Sequence, residues 1–406
     1  MPLELLQTPA PADEDKEYQW TLNFGPQHPA THTTLRLILT LDGETVIKAV
    51  PDIGYLHSGF EKLGEDLDYN QYVTIVDRMN YISPIANEVA WHHAVEKLMG
   101  IELTPRCQYL RTLLAELSRI SDHLLCVGAA ALDLGAFTAF LYGFYQREKL
   151  YDIFERASGQ RFHPSYTRVG GLMSDVDDKF IEMVRDFIKG FPKAHADVTR
   201  LLNRNRIFIE RTRGIGVLSK EDAINWSATG PVARASGVVR DLRKDEPYLS
   251  YKQFDFKVVC ATEGDCYARY LVRMEEMLQS VEICKQVIEN LPAGPVNVDG
   301  NSKAVLPDQL ATYRSIESLI QHFELVMRNR QWETPHEEVY GATESANGEL
   351  GFYVVADGTG VPYRARTRPP SYIHFRLFPE LIVGHQLSDV VAVLGSLNII
   401  AAELDR

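Results

Sequence analysis

No Cys-x-x-Cys pair occurs anywhere in the 406 residues. The five cysteines, Cys107, Cys126, Cys260, Cys266 and Cys284, are scattered. This argues against an iron–sulfur cluster or structural zinc held by this chain and predicts buried thiols in a reducing compartment. Positive charge is in deficit: 42 basic against 55 acidic residues leave a net charge of -13. Nucleic acid or an anionic lipid surface is therefore not expected as the main partner. A glycine-rich phosphate loop is missing, since Gly214-Ile215-Gly216 lacks the third glycine and the preceding strand of a dinucleotide fingerprint. There is no nucleophile elbow and no identifiable pair of catalytic carboxylates. The start, Met1-Pro2-Leu3-Glu4, has neither the basic flank nor the apolar core of a secretory signal, so cytoplasmic residence is expected.

The longest apolar run, Leu124 to Phe144, has one charged residue, Asp133. Its length would span a bilayer, but Gly128, Gly135 and Gly143 interrupt it and a central charge is costly in lipid. It reads as two buried helices meeting at Asp133-Leu134-Gly135. The hydrophobic fraction of 45% and charged fraction of 24% are those of a globular protein.

Residues 1–16 are rich in Pro, Asp and Glu and read as a mobile tail. Residues 17–64 form a β region: Leu35, Leu37, Leu39 and Leu41 alternate with mostly polar neighbours, Asp42-Gly43 turns, and Thr45 to Val50 returns. Residues 65–335 read as a helical core. Within it Leu110, Leu113, Leu114, Leu117, Ile120, Leu124 and Leu125 mark a long helix with one buried face. Comparable stretches cover 86–99, 138–157, 179–203, 265–290 and 308–325. Residues 336–406 are β-rich, with Val339-Tyr340, Glu349 to Ala356 and Tyr363 to Arg368 as strands and a last helix after Asp389. The fold class is α+β, mainly α.

The chemistry concentrates in Gly25-Pro26-Gln27-His28-Pro29-Ala30-Thr31-His32. Two histidines four apart suit a helix-borne metal site, but Pro26 and Pro29 disfavour helix and no glutamate follows His28. The stretch reads as a stiff turn, its imidazoles serving either proton chemistry or the loop's own hydrogen bonds. Tyr81, in Asp77-Arg78-Met79-Asn80-Tyr81, is either a capped half-buried aromatic or a donor to a polar head group. Asp133 is either a carboxyl of raised pKa needing a partner or the N-cap of a helix from Ala136. His163, in Gly159-Gln160-Arg161-Phe162-His163-Pro164, and His57, in Leu56-His57-Ser58-Gly59, are individually weak signals. Arg200, Arg204, Arg206, Arg211 and Arg213 make a solvated helix end or an interaction face.

From Trp20 to Arg406 the chain resembles the quinone-site, or D, subunits of respiratory complex I, NADH:quinone oxidoreductase. The landmarks are the His28/His32 loop, Asp77–Tyr81, Ala131–Ala136, Gly170-Gly171, Gly214–Val217, Asp241–Lys244, Gly264–Tyr270 and Glu403–Arg406. That family resembles in turn the large subunit of nickel–iron hydrogenases, whose metal lies between two Cys-x-x-Cys pairs. Those pairs would correspond to Leu56–Gly59 and the C-terminus here, and neither place has a cysteine, so no metal is expected. The resemblance implies an α+β fold with a hydrogenase-like helical core and a role as a subunit of a proton-translocating enzyme, active only within its complex. His32 and Tyr81 would bond the two quinone carbonyls, and Asp133 would orient or reprotonate His32. His163 would lie near the iron–sulfur cluster of a neighbouring subunit, with His28 shaping the loop. NAD would bind a distant subunit, membrane subunits would be further partners, and the chain would sit peripherally on the cytoplasmic face of the inner membrane. Ser58, where the family usually has arginine, and Thr33, where it usually has glycine, depart from the pattern. A hydrogenase large subunit and a scaffold without a working quinone site are the competing readings.

Overall fold

The computed structural model describes residues 18–31, 34–298, 305–327 and 334–406. The tail expected over 1–16, together with His32 and Thr33, lies outside the described residues. The architecture is α+β and mainly α.

An antiparallel sheet opens the chain, with order β1 (Gln19–Phe24), β2 (Arg36–Asp42) and β3 (Thr45–Asp52). Leu22 faces Leu39 and Phe24 faces Leu37, so the loop carrying His28 joins two paired strand ends. The period-two pattern is realised: Leu37, Leu39 and Leu41 are fully buried while Ile38 and Thr40 are half-buried.

Short helices α1 (Phe60–Leu63) and α2 (Val73–Val76) lead to α3 (Pro84–Met99), α4 (Pro105–Asp133) and α5 (Phe137–Ser158). The ladder of β4 (Thr167–Arg168) with β5 (Gly171–Leu172) precedes α6 (Asp178–Asn203). Four short helices follow, α7 (Arg206–Glu210), α8 (Lys220–Asn225), α9 (Gly230–Ala235) and α10 (Leu242–Asp245), then the long α11 (Cys266–Glu289). The helix expected over 308–325 is two, α12 (Gln309–Arg314) and α13 (Ile316–Val326). Ser315 is extended between them and its hydroxyl caps α13.

Helix α4 starts where its sequence dictates: Thr104 accepts from the Cys107 amide at 3.3 Å and Pro105 occupies the first turn. The expectation of one buried face is wrong. Every residue from Leu110 to Leu124 is buried. The apolar side packs against Phe154 of α5, Phe187 of α6 and Met277 of α11. Burying Leu110, Leu113, Leu114, Leu117, Ile120 and Leu124 contributes on the order of 10 kcal/mol gross, before conformational entropy. The polar side is satisfied by ion pairs instead of water. Glu116 meets Arg119 at 3.3 Å and Arg243 at 3.2 Å, and His123 meets Glu276 at 2.9 Å. Arg234 joins Glu276 at 2.8 Å to Glu344 at 2.7 Å. Such pairing is what lets charges sit in a core.

A second antiparallel sheet, β6 (Glu338–Glu344), β7 (Glu349–Val355) and β8 (Arg364–Arg368), packs on α3. A Cβ on Gly341 would lie 2.7 Å from Ala94 Cα, so this close approach needs glycine. The chain ends with α14 (Pro370–Ile382), which sequence reasoning missed, α15 (Asp389–Leu397) and α16 (Ala401–Asp405). Helices α14 and α15 cover the apolar face of the first sheet through Phe378, Ile382, Val390 and Leu394. Four of the cysteines are buried as expected, but Cys260 is exposed.

Candidate functional site

Gly25 adopts φ 86°, and a Cβ there would lie 2.1 Å from the Leu35 carbonyl oxygen, so the loop closes only with glycine. The Thr31 hydroxyl donates to the His28 carbonyl at 3.0 Å across the 3-10 turn Pro29–Thr31. His28 Nδ1 accepts from the Ala30 amide at 3.1 Å, and the ring packs on Phe24 at 4.5 Å between centroids. His28 is thereby fixed with its ring exposed.

Asp133 is the last residue of α4 and not an N-cap. Gly135, with φ 85°, donates to Leu132 O at 2.9 Å, and the Ala136 amide donates to Ala131 O at 2.7 Å. This is a Schellman stop, and α5 begins at Phe137 with no side-chain cap. Gly128 and Gly143, expected as interruptions, are contact points of the α4–α5 hairpin: added Cβ atoms would lie 3.4 Å from Phe140 Cα and 3.3 Å from Leu124 O. The Asp133 side chain reaches the surface, yet partial removal from water pushes its carboxyl up to about 6, against the opposing attraction of His28. The negative end of the α4 dipole acts in the same upward direction. The second half of the apolar run is not buried: Phe137, Leu141, Tyr142 and Tyr145 are about half exposed or more.

Tyr81 is half-buried on the turn into α3. Burial pushes its phenol upward, and the negative charge of Asp122 adds to the shift. Asn80 shapes the turn, its Oδ1 accepting from the amides of Ile82 at 3.2 Å and Ser83 at 3.3 Å. The same segment carries Asp77, which is fully buried, accepts from Ser165 Oγ at 2.7 Å and pairs with Arg78 at 3.1 Å. His163 faces Asp77. Burial lowers the imidazole pKa, Asp77 opposes this, and Nδ1 has no partner among the described residues. Burial in turn pushes Asp77 upward against Ser165 and His163.

The loop at Leu56–Gly59 and the C-terminus do meet. Asp405 accepts from the amides of Gly54 at 2.9 Å and Leu56 at 2.7 Å, and its carbonyl lies 2.6 Å from His57 Nδ1. A carboxylate with one backbone donor on each oxygen thus occupies the junction. Ser58 faces solvent, its hydroxyl donating to the Leu56 carbonyl at 3.4 Å. Among the described residues no group of three His, Cys, Asp or Glu could hold a metal ion.

The structure therefore brings His28 to Asp133, and His163 to the segment that carries Tyr81. Among the described residues, Tyr81 makes no hydrogen bond to His28, Asp133 or His163. A cavity of about 940 Å³ lies elsewhere, lined by Arg168, Met173, Tyr313 and Phe323 among others, and by none of these four. Sequence reasoning missed Asp122 and Asn398, and gave Asp405 no role beyond its place in the Glu403–Arg406 landmark. Nothing in their local spacing marks them, because their partners lie 42 to 351 positions away.

The fold is thus a helical core flanked by two small antiparallel sheets, with His28, Tyr81 and His163 on turns and with Phe137, Leu141, Tyr142 and Tyr145 exposed on α5. The family described as "Respiratory-chain NADH dehydrogenase, 49 Kd subunit" matches residues 133–406. The chain is similar to the D subunit of NADH-quinone oxidoreductase from Methylacidiphilum infernorum, 48% identical over 95% of this chain and 91% of that protein. It is likewise similar to the D 1 subunit from Opitutus terrae, at 49% over 98% and 93%, and to the D 2 subunit from Sinorhizobium medicae, at 45% over 99% of each. The chain belongs to the family of the 49 Kd subunit of respiratory-chain NADH dehydrogenase.

Proposed function

We propose that this chain forms the quinone-reduction site of a proton-pumping NADH:quinone oxidoreductase, receiving electrons from an iron–sulfur cluster on a neighbouring subunit. The observation that carries the reading is the Asp77–Ser83 segment, which presents a neutral phenol and holds the partner of His163 within a few residues. Reducing a quinone to a quinol takes two electrons and two protons, and each carbonyl oxygen must be met by a donor. Tyr81, its phenol kept protonated, donates to one oxygen. His32 donates to the other, imidazole being the side-chain type whose reference pKa lies near neutrality. Asp133, mostly ionised at pH 7 with a pKa of about 6, stabilises the cationic form of a loop histidine and so favours its recharging. His163, facing Asp77 across the segment, sits where its protonation can follow the charge of the neighbouring cluster.

No helix among the described residues is long and apolar enough to cross a membrane. In this reading the chain binds its complex peripherally, on the cytoplasmic face. Phe137, Leu141 and Tyr145, four residues apart on α5, present the face for the iron–sulfur and membrane subunits. NAD binds elsewhere in the complex.

Tyr81→Phe and His32→Ala test the assignment in the assembled complex. Both should depress quinone reduction while NADH still reduces the terminal cluster. Wild-type quinone turnover in both would end it.

A further inference from the structure

We propose that Asp122, a carboxylate buried on α4, is a positioning residue for Tyr81: together with Asn398 it anchors Asn80 and so fixes the turn that presents the phenol. The inference rests on the reading of Tyr81 as a quinone donor.

Asp122 has no accessible surface and no ion-pair partner among the described residues. Its two oxygens are instead met by amide side chains from opposite ends of the sequence. Asn398 Nδ2 donates to Oδ1 at 2.7 Å, and Asn80 Nδ2 approaches Oδ2 at 3.5 Å. Each amide is itself committed. Asn80 uses its Oδ1 on the amides of Ile82 and Ser83, and its carbonyl accepts from Asn87 Nδ2 at 3.3 Å. Asn398 is buried in the left-handed region at φ 55°, closes α15 and bonds Asn347. A buried carboxylate is costly unless its lone pairs are met, so an unpaired one held by two amides marks a place where geometry is being fixed.

The charge acts directly as well. Tyr81 lies within its field, which favours the protonated phenol over the phenolate. The other groups that feel Asp122 are His123 and Cys126 on α4, Arg147 on α5 and Glu403 on α16. Only Arg147 among them carries a fixed positive charge, and it bonds Ser121 Oγ at 3.2 Å.

Asp122→Asn keeps the volume but turns one accepting oxygen into a donor, which must then face a donating amide. One of the two links breaks, and either way Asn80 is no longer tied through residue 122 to Asn398. In the assembled complex, kcat/KM for a short-chain ubiquinone should fall roughly tenfold in Asp122→Asn and in Tyr81→Phe, as for residues coupled in one network. The double variant should fall no more than about twofold below the weaker single, where independent losses would multiply to roughly a hundredfold. NADH-driven reduction of the terminal cluster should stay unchanged in all three. If Asp122→Asn blocks assembly, Asn398→Gly, which tolerates the left-handed φ of 55°, cuts the other link while leaving Asn80 and its turn bonds in place, and must show the same non-additivity with Tyr81→Phe. Multiplicative losses in the variants that assemble would overturn the positioning role while leaving the Tyr81 assignment standing. Wild-type turnover in Tyr81→Phe alone would overturn the site reading, and this inference with it.

Discussion

Asp133 should impose an acid limb on quinone reduction. Its carboxyl is pushed up to about 6 by partial removal from water, with His28 opposing. Only the carboxylate can stabilise a cationic loop imidazole, so the rate should track its ionised fraction. For a single site with that pKa the fraction is about 0.9 at pH 7 and about 0.1 at pH 5. Quinone reduction should therefore drop close to tenfold over that interval, with its midpoint at the pKa of this carboxyl. Asp133→Asn removes the titration and the charge together. The variant should run at roughly the low-pH rate of the wild type throughout, with its acid limb flattened. The assay is NADH:quinone reductase activity of the purified complex from about pH 5 to 8, normalised at each pH to reduction of an artificial acceptor that bypasses the quinone site. An acid limb of unchanged midpoint in Asp133→Asn would refute the reasoning, because another group would then be titrating.

Three further outcomes are expected. Gly25→Ala meets both the left-handed φ of 86° and the Leu35 carbonyl 2.1 Å from the new Cβ; strain of about 1–3 kcal/mol should displace the His28 loop and abolish quinone reduction in a complex that still reduces an artificial acceptor. Asp405→Ala leaves the Gly54 and Leu56 amides without their acceptor, at about 1 kcal/mol each; hydrogen exchange at 54–58 should quicken roughly fivefold or more, and unchanged protection would contradict it. Glu276 is fully buried, and although burial pushes its carboxyl up, Arg234 and His123 hold it down at about 2. Because that lies below the ordinary 4.5, its stabilisation is complete above pH 4.5 and is lost as pH falls toward 2. Glu276→Gln breaks the buried pair with Arg234, so it should lower stability at pH 7 by about 3–5 kcal/mol and make the acid loss shallower in denaturant melts.

The parts of the fold legible in the sequence are those set by local periodicity. The alternating leucines of β2 and the long helices α3, α5, α6 and α11 fall where spacing places them, to within a residue or two. What failed was everything decided by partners far along the chain. Helix α4 reads as amphipathic because Glu116, Arg119 and His123 look solvated, yet Arg243 and Glu276 bury them. Asp133 reads as a plausible cap, but Gly135 takes the left-handed turn that ends α4 and leaves the carboxylate at the C-terminal end. Helix α14 escaped because Pro370 and Pro379 obscure its period. The loop with His28 is recognisable from its prolines and glycine, whereas its approach to Asp133 is a tertiary fact. Asp122 has no local signature at all, and Asp405 stands out only as part of the Glu403–Arg406 landmark, with nothing local to show that it meets the Leu56–Gly59 loop.

A photoreactive quinone analogue in the assembled complex reports on the quinone site itself. Irradiation under turnover conditions followed by peptide mapping should place the label on the segments Gly25–Leu35 and Asp77–Ser83, with excess natural quinone suppressing it. Labelling confined to other segments of this chain, such as 305–323 beside the large cavity, or to other subunits alone, would contradict a quinone site built around Tyr81.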